Sequence, residues 1–498
     1  MGEFAHYRRE CISSKSFQTS KKRITFVVPK PKPMRNLPFK YSVSILCIAC
    51  TFYSCSTDLD EFSPVVEEDN IKESVSDSVL LNILEEEAEL IKQVSTGKIV
   101  DVSGMEVVKE NPKKVFAHYM PWFQSLDYDG WWGNHWTMAN QDPNNIDADG
   151  RRDIASFFYP EIGPYSSIDP DLQEYHFLMM KLSGIDGVIF DWYGSRDIYD
   201  YGVMKEATET FMWRLEDLGL DFSIMYEDRT ASQAVDFGLA PDIITAAKED
   251  FVYVRDTYMT SPRYIRWDGK PLMFVFGPHY IQNTSQWDDI FTVFPQEDKP
   301  NYISLWATSD RWVGDSATGE FAWIDQTHLE AHGHYYWHMN QTNKLTVGSV
   351  YPGFDSFNEL GGWGQSHDWS IDWNGGDTFV ETLNYTHHQT SDFIQLTTWN
   401  DFGEGTMIEP TEEFGFMYLQ LLQEYTGVTY TPQDLQVAQD LYFLRKEFST
   451  GNGTAKSVTA KDKKKSLPQL YLDRAYQHIK RGNMKRARYI LWAVERFF

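Results

Sequence analysis

The chain has 498 residues, enough for two or three average domains or for one large α/β barrel with extensions. It carries 45 Lys and Arg against 72 Asp and Glu, a formal net charge of -27 at pH 7. Because phosphate binding requires a basic surface, this charge argues against a nucleic-acid partner and suits a neutral substrate. Aromatic content is high, with 17 Trp and 28 Tyr, and loop aromatics commonly bind flat apolar faces such as those of sugars.

Residues 1–55 are predicted to be a lipoprotein signal region. The chain has four cysteines, all in this region: Cys11, Cys47, Cys50 and Cys55. Scattered Lys and Arg precede an apolar run over 41–53, which is too short to span a bilayer. Cys55 stands where cleavage would fall, so we predict that it is lipidated and anchors the protein to the bacterial outer membrane. A start at Met34 would give a signal of normal length; the alternatives are an ordinary secretory signal and a buried helix.

Residues 56–110 are predicted to form an acidic tether followed by one amphipathic helix. The tether, 56–76, is acidic and rich in turn residues. Over 77–95, apolar residues such as Leu80, Leu84 and Ile91 recur at helical spacing with acids between them.

Eight short apolar runs predict a (β/α)8 TIM barrel over residues 111–430. The runs are 115–119, 187–191, 222–226, 272–276, 302–306, 321–325, 345–350 and 393–398. Helix-like stretches such as 172–183 and 203–218 separate several of them. Apolar strands alternating with helices indicate a parallel sheet covered on both faces, and eight strands indicate a closed barrel. The alternative, an open doubly wound sheet, would carry a Gly-rich phosphate turn after an early strand, and none is present.

Residues 431–498 are predicted to be a C-terminal helical tail. Helical segments are expected at 432–448, 470–480 and 484–497. The last two form a basic pair broken at 481–483, and their Lys and Arg excess predicts a face packed onto an acidic body rather than a binding patch.

Acids, Asn and aromatic rings stand at the predicted strand ends, where barrels of this kind carry their chemistry. The most informative group follows the eighth run, where Trp399, Asn400, Asp401 and Glu404 lie in a Gly-punctuated turn. Glycoside hydrolysis requires such carboxylates, one to hold a proton for the leaving oxygen and one to stabilise positive charge at the sugar carbon. The alternatives are an acidic surface loop and carboxylates that cap the following helices.

The spacing Asp401-x-x-Glu404 predicts a carboxylate pair. On a turn entering a helix, positions three apart can face the same side. Two close carboxyl groups in a partly apolar pocket cannot both ionise cheaply, so one pKa rises and creates a proton donor. We predict Glu404 as this donor, because Gly403 and Gly405 let its backbone approach a ligand. Asp401 is then the partner base, and Glu409 a structural group or a contact to a substrate hydroxyl.

Further substrate contacts are predicted from the other strand ends, with Asp191 and Glu227 as a polar floor. The full predicted substrate-binding set is Tyr119, Trp122, His135, Trp136, Asp191, Glu227, Trp306, Tyr351, Trp399, Asn400 and Glu409. Four histidines between 328 and 338 lack the spacing of a zinc-protease helix, and no Cys supports them. We therefore expect no metal site and no cofactor.

Several motifs between residues 118 and 410 match one family pattern. They are W-N-D-F-G-E-G-T-M-I-E-P at 399–410, G-P-Y-S-S-I-D-P at 163–170, H-Y-M-P-W-F at 118–123 with H-W at 135–136, and V-Y-P-G-F-D at 350–355. They resemble the W-N-E-W-x-E-G-T-x-I-E-P, G-P-Y-S-S-x-D-P, Y-Y-x-W-Y with H-W, and x-x-P-G-Y-D motifs of glycoside hydrolase family 99, the endo-α-mannosidases, and of related family 71/99-like proteins. The resemblance covers about residues 113–425.

The resemblance implies a (β/α)8 barrel and metal-independent, endo-acting cleavage of α-mannosides with retention. In that family the first signature carboxylate is thought to deprotonate the sugar 2-hydroxyl, which attacks the anomeric carbon to give an epoxide-like intermediate, while the second is the general acid/base. Carried onto this chain, Asp401 takes the first role and Glu404 the second. Asp401 replaces a Glu and is one methylene shorter, which leaves open a pocket repositioned for another sugar or a different mechanism.

The expected partner is an oligosaccharide or polysaccharide, with membrane contact only through the lipid anchor. Two other functions remain as alternatives. One is a carbohydrate-binding lipoprotein that has lost catalysis on the same barrel, which the Asp401 substitution supports. The other is a glycosyltransferase with a related barrel, although no nucleotide motif is visible.

Overall fold

The computed structural model describes residues 72, 74–101, 103–364, 367–449 and 465–498. The predicted signal region with Cys55, and the predicted tether up to residue 71, lie outside the described residues. None of the helices in the described ranges is both long and apolar enough to cross a membrane.

Eight parallel strands form a closed barrel. They are β1 (Val115–Tyr119), β2 (Gly187–Trp192), β3 (Asp221–Tyr226), β4 (Lys270–Val275), β5 (Asn301–Leu305), β6 (Ala317–Phe321), β7 (Leu345–Val350) and β8 (Phe393–Leu396). Each strand pairs with its neighbours in sequence, and β8 pairs with β1 to close the ring. A two-residue strand, Arg266–Trp267, pairs antiparallel with β4. Because both faces of the ring are covered, the strands are buried almost throughout, which explains their continuous apolar runs.

Helices surround the barrel and extend beyond it at both ends of the chain. They are α1 (Asp77–Ser95), α2 (Pro170–Leu182), α3 (Tyr201–Leu218), α4 (Arg229–Asp236), α5 (Ile243–Tyr253), α6 (Thr284–Ile290), α7 (Leu329–Met339), α8 (Asp377–His387), α9 (Met417–Thr426), α10 (Pro432–Ser449), α11 (Leu467–Lys480) and α12 (Met484–Phe497). Shorter helical turns lie at Leu126–Asp129, Asn134–Thr137, Val254–Tyr258, Phe291–Val293, Ser309–Val313, Gly314–Ser316, Asn358–Gly361 and Asn374–Gly376.

The ends of these helices follow local sequence signals. At α2, the Asp169 side chain accepts a hydrogen bond from the Asp171 N–H, and Pro170 occupies the first turn, where its missing N–H costs nothing. At α3, Gly219 ends the helix in the left-handed conformation.

The predicted (β/α)8 barrel with helical extensions is confirmed, but the sixth strand was placed wrongly. The sequence predicted it at 321–325, whereas β6 covers Ala317–Phe321. The apolar signal fails here because β6 requires a glycine: a Cβ on Gly319 would lie 2.6 Å from the Leu345 carbonyl oxygen on β7. The run from Phe321 to Trp323 instead leads from the strand into the following loop, where Trp323 reaches the site described below.

The C-terminal helices pack against acids of the rest of the chain. Lys480 Nζ donates to Asp217 at 2.6 Å, and Arg445 Nε donates to Glu174 on α2 at 2.5 Å. Lys480 belongs to the predicted basic pair, and its contact with Asp217 agrees with the prediction that this pair packs onto acids of the body.

Candidate active site

A cavity of about 470 Å³ lies at the carboxyl ends of the barrel strands. Its acidic lining residues are Asp191, Glu227, Asp228, Asp401 and Glu404. The other lining residues are His118, Met120, Trp122, Tyr193, Arg229, Phe276, His279, Tyr280 and Trp323. The cavity thus combines many carboxyl groups with aromatic walls, the combination expected for a sugar-cleaving site.

Asp401 and Glu404 enter the cavity from a tight turn after β8. The Asp401 N–H donates to Thr398 Oγ1 at 2.8 Å, and Asp401 Oδ1 accepts from the Glu404 N–H at 3.0 Å. This side-chain cap on the backbone three residues ahead is a common turn device of Asp. The expectation that the motif opens a helix is wrong, because the Asp401 cap closes a turn and α9 begins only at Met417.

Gly405 and Trp373 fix the far side of this turn. Gly405 has φ +64°, and a Cβ there would lie 2.7 Å from the Trp373 ring, so both conformation and space favour glycine. Trp373 Nε1 donates to the Gly405 carbonyl oxygen at 2.8 Å. The turn is therefore held against the loop that follows β7.

Burial, hydrogen bonds and neighbouring charges give the two carboxyl groups different pKa values. Asp401 is 5% exposed, and burial raises its pKa to about 6, although hydrogen bonds from the Glu404 and Gly403 N–H groups lower it. Burial, with the charges of Asp401 and Glu227, raises the pKa of Glu404 to about 8. At neutral pH the turn therefore presents an ionised carboxylate beside a protonated carboxyl group.

Glu227 and Asp191 form an acidic floor with one cationic neighbour. Glu227 Oε1 accepts from the Tyr193 hydroxyl at 2.9 Å, and Glu227 Oε2 pairs with Arg229 Nε at 2.6 Å. Burial and the nearby Glu227 charge raise the pKa of Asp191 well above its ordinary value. The floor is thus rich in groups that bind hydroxyls and disfavour bound anions.

Asp228 lines the cavity but is committed to holding a loop. Its carboxylate accepts from the N–H groups of His279, Tyr280 and Ile281 at 2.8 to 3.0 Å. The loop after β4 therefore delivers His279 and Tyr280 to the cavity by bonding to the end of β3.

Five of the predicted site residues line the cavity: Trp122, Asp191, Glu227, Asp401 and Glu404. Another predicted site residue, His135, does not line the cavity but stacks on the lining residue Trp122, with ring centroids 4.0 Å apart and planes 6° from parallel. Burial and the nearby Arg229 charge lower the pKa of His135 to about 3, so it stacks as a neutral ring.

Tyr119 and Asn400 were predicted to contact substrate, and Glu409 to be a structural group or a contact to a substrate hydroxyl. All three lie outside the cavity lining, and Glu409 fits the structural alternative. Glu409 is 1% exposed; its Oε2 accepts from the Tyr165 hydroxyl at 2.7 Å, and its Oε1 lies 3.1 Å from His176 Nε2. The Tyr119 hydroxyl hydrogen-bonds His176 Nδ1 at 3.0 Å. Asn400 Oδ1 accepts from the backbone N–H of Met120 at 2.8 Å. These groups form a sealed polar network behind the cavity.

Trp136, Trp399, Tyr351 and Trp306, which were also predicted to contact substrate, do not line the cavity either. Trp136 and Trp399 are fully buried, and Trp136 Nε1 donates to a backbone carbonyl at 2.8 Å. Tyr351 is fully buried and hydrogen-bonds His328 Nδ1 at 2.7 Å, while Trp306 packs edge-on against the ring of α7 residue His332. Side chains alternate along a strand, so a position at its end can point outward to the helices as readily as inward.

The sequence reasoning missed several residues that the cavity uses. Tyr193 and Arg229 each lie two residues after an acid that it selected, Asp191 and Glu227, so their positions carried a usable signal. His279 and Tyr280 follow β4, whose end was not considered. Trp323 was assigned to a strand. Among the described residues, no group of three or more His, Cys, Asp or Glu is arranged to hold a metal ion.

The family to which the chain belongs is decided by the match of its barrel region. A family model described as glycosyl hydrolase family 99 matches residues 111–428, which is the barrel together with the cavity. The chain belongs to glycosyl hydrolase family 99. This family 99 chain is a glycoside hydrolase, in accord with the carboxyl groups assembled at the cavity.

Relatives of this family 99 enzyme are about a quarter identical to it over the aligned residues. A glycoprotein endo-alpha-1,2-mannosidase-like protein of Mus musculus is 26% identical over 343 residues, covering 59% of this chain and 68% of the relative. A glycoprotein endo-alpha-1,2-mannosidase of Xenopus laevis is 25% identical over 347 residues, covering 58% and 68%. The solved GH99 endo-alpha-mannosidase from Bacteroides thetaiotaomicron superposes with a TM-score of 0.50 at 20% identity, covering 65% of this chain and 98% of its own. That likeness supports the fold.

Proposed function

We propose that this family 99 enzyme cleaves internal α-linked bonds of a mannan-like glycan, with Glu404 as general acid/base and Asp401 as assisting base. The observation that carries the proposal is the pair itself: both side chains line one cavity, and their pKa values are raised to about 6 and about 8. One group is therefore ionised and the other protonated at neutral pH, as acid/base catalysis requires. The names of the relatives support an α-mannoside substrate and endo action.

The first half of the reaction breaks the glycosidic bond. The Asp401 carboxylate takes the proton of the sugar 2-hydroxyl, and O2 attacks the anomeric carbon while the bond to the leaving oxygen breaks. Glu404 donates its proton to that oxygen, which departs as a hydroxyl. The second half reverses these roles: Glu404 takes a proton from water, water attacks the anomeric carbon, and O2 recovers its proton from Asp401. The products are two sugar chains, with retention of configuration.

The turn geometry supports the proposal that Asp401 takes the first role. Asp401 Oδ1 is occupied by the Glu404 N–H at 3.0 Å, which leaves Oδ2 as the oxygen for the sugar hydroxyl. The same hydrogen bond fixes the base and the backbone of the acid in one rigid turn.

The remaining lining residues bind and orient the sugar. Glu227 and Asp191 accept hydrogen bonds from sugar hydroxyls, and Trp122 offers a flat apolar wall. The Glu227 carboxylate also stabilises the positive charge that develops at the anomeric carbon in the transition state.

The catalytic assignment is tested by changing one carboxyl group at a time. Glu404→Gln, Asp401→Asn and the exposed control Glu89→Gln are incubated with α-mannans and α-glucans, and the released oligosaccharides are quantified. We expect Glu404→Gln and Asp401→Asn to lose about 10²- to 10⁴-fold in turnover and the control to lose none. Wild-type turnover by Glu404→Gln on a substrate that the parent cleaves would contradict the assignment.

A leaving-group comparison separates the two roles. With an aryl α-glycoside that leaves without protonation, Glu404→Gln recovers most of its rate in the bond-breaking step, because the proton that it lacks is no longer needed. Asp401→Asn stays slow on both substrate types, because the attack by O2 still needs a base. Equal loss on both types by both variants would argue against this division of labour.

We further propose that Cys55 carries a lipid that anchors the enzyme to the bacterial outer membrane, on the cell surface or the periplasmic side. The support is its position after an apolar run and before an acidic stretch. Labelled palmitate should be incorporated by the parent and lost in Cys55→Ala; unchanged labelling of the variant excludes this anchor.

A further inference from the structure

We infer that two exposed aromatic rings, Tyr199 and Phe237, form a distal binding site for the glycan chain whose bond is cleaved in the cavity. This inference rests on the proposed function, because it assigns the occupant as a more remote part of the same substrate. Tyr199 lies in the loop between β2 and α3, and Phe237 directly follows α4. The loop after β2 lies at the end of the barrel that carries the cavity, and the contact between the two rings places Phe237 beside it.

The two rings form one exposed apolar surface. Tyr199 is 68% exposed and Phe237 53% exposed, and their centroids lie 5.2 Å apart with planes at 82°. Large aromatic side chains clustered at the surface commonly mark a binding site. The net charge of -27 favours a neutral occupant that presents apolar faces and hydroxyls, as a sugar chain does.

A continuous row of rings connects this surface to the cavity. The Tyr199 ring contacts Tyr201 with centroids 5.8 Å apart, and Tyr201 contacts Tyr193 at 4.9 Å. Tyr193 lines the cavity and donates to Glu227. Tyr201 and Tyr193 are each 6% exposed, so this row lies beneath the surface and fixes where Tyr199 stands relative to the cavity. A sugar chain that extends from the cavity over this buried row would meet Tyr199 and Phe237.

The loop carrying Tyr199 is anchored in the conformation that exposes it. Asp250 is fully buried, and its Oδ1 accepts from the Ser195 N–H at 2.9 Å, from Ser195 Oγ at 2.6 Å and from Arg196 Nη1 at 3.1 Å. Tyr199 itself has φ +55°, which is unfavourable for an aromatic residue. The surrounding bonds thus hold an exposed ring in a costly conformation.

The loop carrying Phe237 is tied to the same structure. The Phe237 N–H donates to the Gln233 carbonyl oxygen at 2.9 Å, and the Gln233 side chain accepts from the Tyr201 hydroxyl at 2.8 Å. The two loops are therefore preorganised relative to each other. A preordered surface binds with little further loss of conformational entropy.

The test uses a length series of α-linked mannooligosaccharides and glucooligosaccharides, from disaccharides to long chains. The variants are Tyr199→Ala, Phe237→Ala and the double variant, and the control is Trp337→Ala on α7, a ring that is also 68% exposed. We measure kcat/KM for each chain length in the active protein. In a Glu404→Gln background, which binds without cleaving, we measure affinity by calorimetry.

On long chains we expect the double variant to lose about tenfold in kcat/KM and in affinity, which is the scale of one or two lost aromatic contacts. On the shortest chain that is cleaved, we expect no loss. Trp337→Ala should lose nothing at any length. Equal loss at all lengths indicates a structural role and overturns the inference, as does no loss at any length.

The two arms separate this inference from the proposed function. If the double variant cleaves long mannooligosaccharides as efficiently as the parent, the distal site is overturned and the proposed function stands. If the double variant loses the length-dependent binding but the parent cleaves no chain in the series, the distal site is upheld and the proposed function is overturned. Absence of binding to both series by the parent background overturns the distal site, since its occupant is an α-linked glycan.

Discussion

At the scale of single residues, the proposed catalysis rests on two carboxyl groups that differ in acidity. Asp401 is nearly buried and accepts backbone hydrogen bonds, which favour its ionised form. Glu404 has the Asp401 and Glu227 charges beside it, which favour its protonated form. Burial raises both pKa values, and the local hydrogen bonds and charges then make the two values differ. Asp401 is left as the stronger acid, which can serve as a base once ionised, and Glu404 as the weaker acid, which keeps its proton.

The pH profile follows from these values. Asp401 must lose its proton, so kcat/KM should rise as pH increases through about 6. Glu404 must keep its proton, so kcat/KM should fall as pH increases through about 8. Initial rates on a cleaved α-mannan measured across this range test the prediction, and a profile that stays flat through both values contradicts it.

The same burial predicts that Asp401→Asn stabilises the folded protein at neutral pH. The folded pKa of Asp401, about 6, exceeds its ordinary value of 3.8. Stability from the protonated carboxyl group is therefore complete below about 3.8 and lost as pH rises through about 6. Asn keeps the Oδ1 acceptor for the Glu404 N–H and carries no charge, so the variant should gain on the order of 1–3 kcal/mol over the parent above that range.

Urea denaturation at a pH below 4 and at a pH above 6 measures this gain. Glu89→Gln, an exposed change of the same chemical type, should show no such pH dependence. A variant that is less stable than the parent at both pH values contradicts the prediction.

At the scale of elements, side chains at strand ends fix the loops that build the cavity. Asp228, just after β3, bonds to three successive N–H groups of the loop after β4. Asp250 on α5 likewise holds the loop after β2 through Ser195 and Arg196. Each loop is thus positioned by an acid from a neighbouring element rather than by its own sequence.

Asp228→Ala should loosen the loop after β4 and weaken substrate binding. It leaves the N–H groups of His279, Tyr280 and Ile281 without their acceptor, which costs about 3 kcal/mol in free energy of unfolding. Because His279 and Tyr280 line the cavity, KM should rise more than kcat falls.

The matched control is Asp242→Ala, which removes a carboxylate that accepts two N–H groups at the start of α5. It should cost less stability and leave KM unchanged, because Asp242 does not line the cavity. Denaturation measures the stability of both variants, and steady-state kinetics measure their KM and kcat. An unchanged KM in Asp228→Ala would show that the loop after β4 keeps its position without the Asp228 carboxylate.

Sequence reasoning found the elements better than it found the directions of their side chains. Seven strands were predicted within a few residues, because buried parallel strands read as unbroken apolar runs. Strand β6 was displaced because Gly319 packs against β7 and interrupts the run. His118 and Tyr119 adjoin in sequence, yet the first lines the cavity and the second bonds to His176 outside the ring. Only the pairing of the strands sets which of two neighbours faces inward.

The carboxylate pair was predictable for the opposite reason. Asp401 and Glu404 lie in one short turn, so their proximity is local and shows in the sequence. The ties that aim them come from distant parts of the chain: Trp373 bonds to Gly405, and the Asp355 N–H donates to the Glu404 carbonyl oxygen at 3.0 Å. Contacts between loops separated by tens of residues leave no such local pattern.

At the scale of the whole molecule, one buried carboxylate joins α1 to the C-terminal helices. Glu87 on α1 is fully buried. It accepts from Arg474 Nε at 3.1 Å and from Arg486 Nε at 2.9 Å, and lies 3.0 Å from His478 Nε2. Burial alone would raise the pKa of Glu87, but the hydrogen bonds and charges of these partners lower it to about 2. The two ends of the described chain are therefore held together by an ion cluster.

Glu87→Gln should destabilise the protein and leave its turnover unchanged. The variant removes the buried counter-ion that Arg474 and Arg486 share and leaves them only their more exposed partners, Asp101 and Glu86, which costs about 3 kcal/mol in free energy of unfolding. The loss should be full above pH 4.5 and shrink as pH falls towards 2, because the parent carboxylate becomes protonated there. The control Glu86→Gln removes a 61% exposed partner of Arg486 and should cost under about 1 kcal/mol. Neither glutamate lines the cavity, so kcat of the folded fraction should match that of the parent in both variants. Similar denaturation midpoints for the two variants would show that the cluster contributes no more than a surface ion pair.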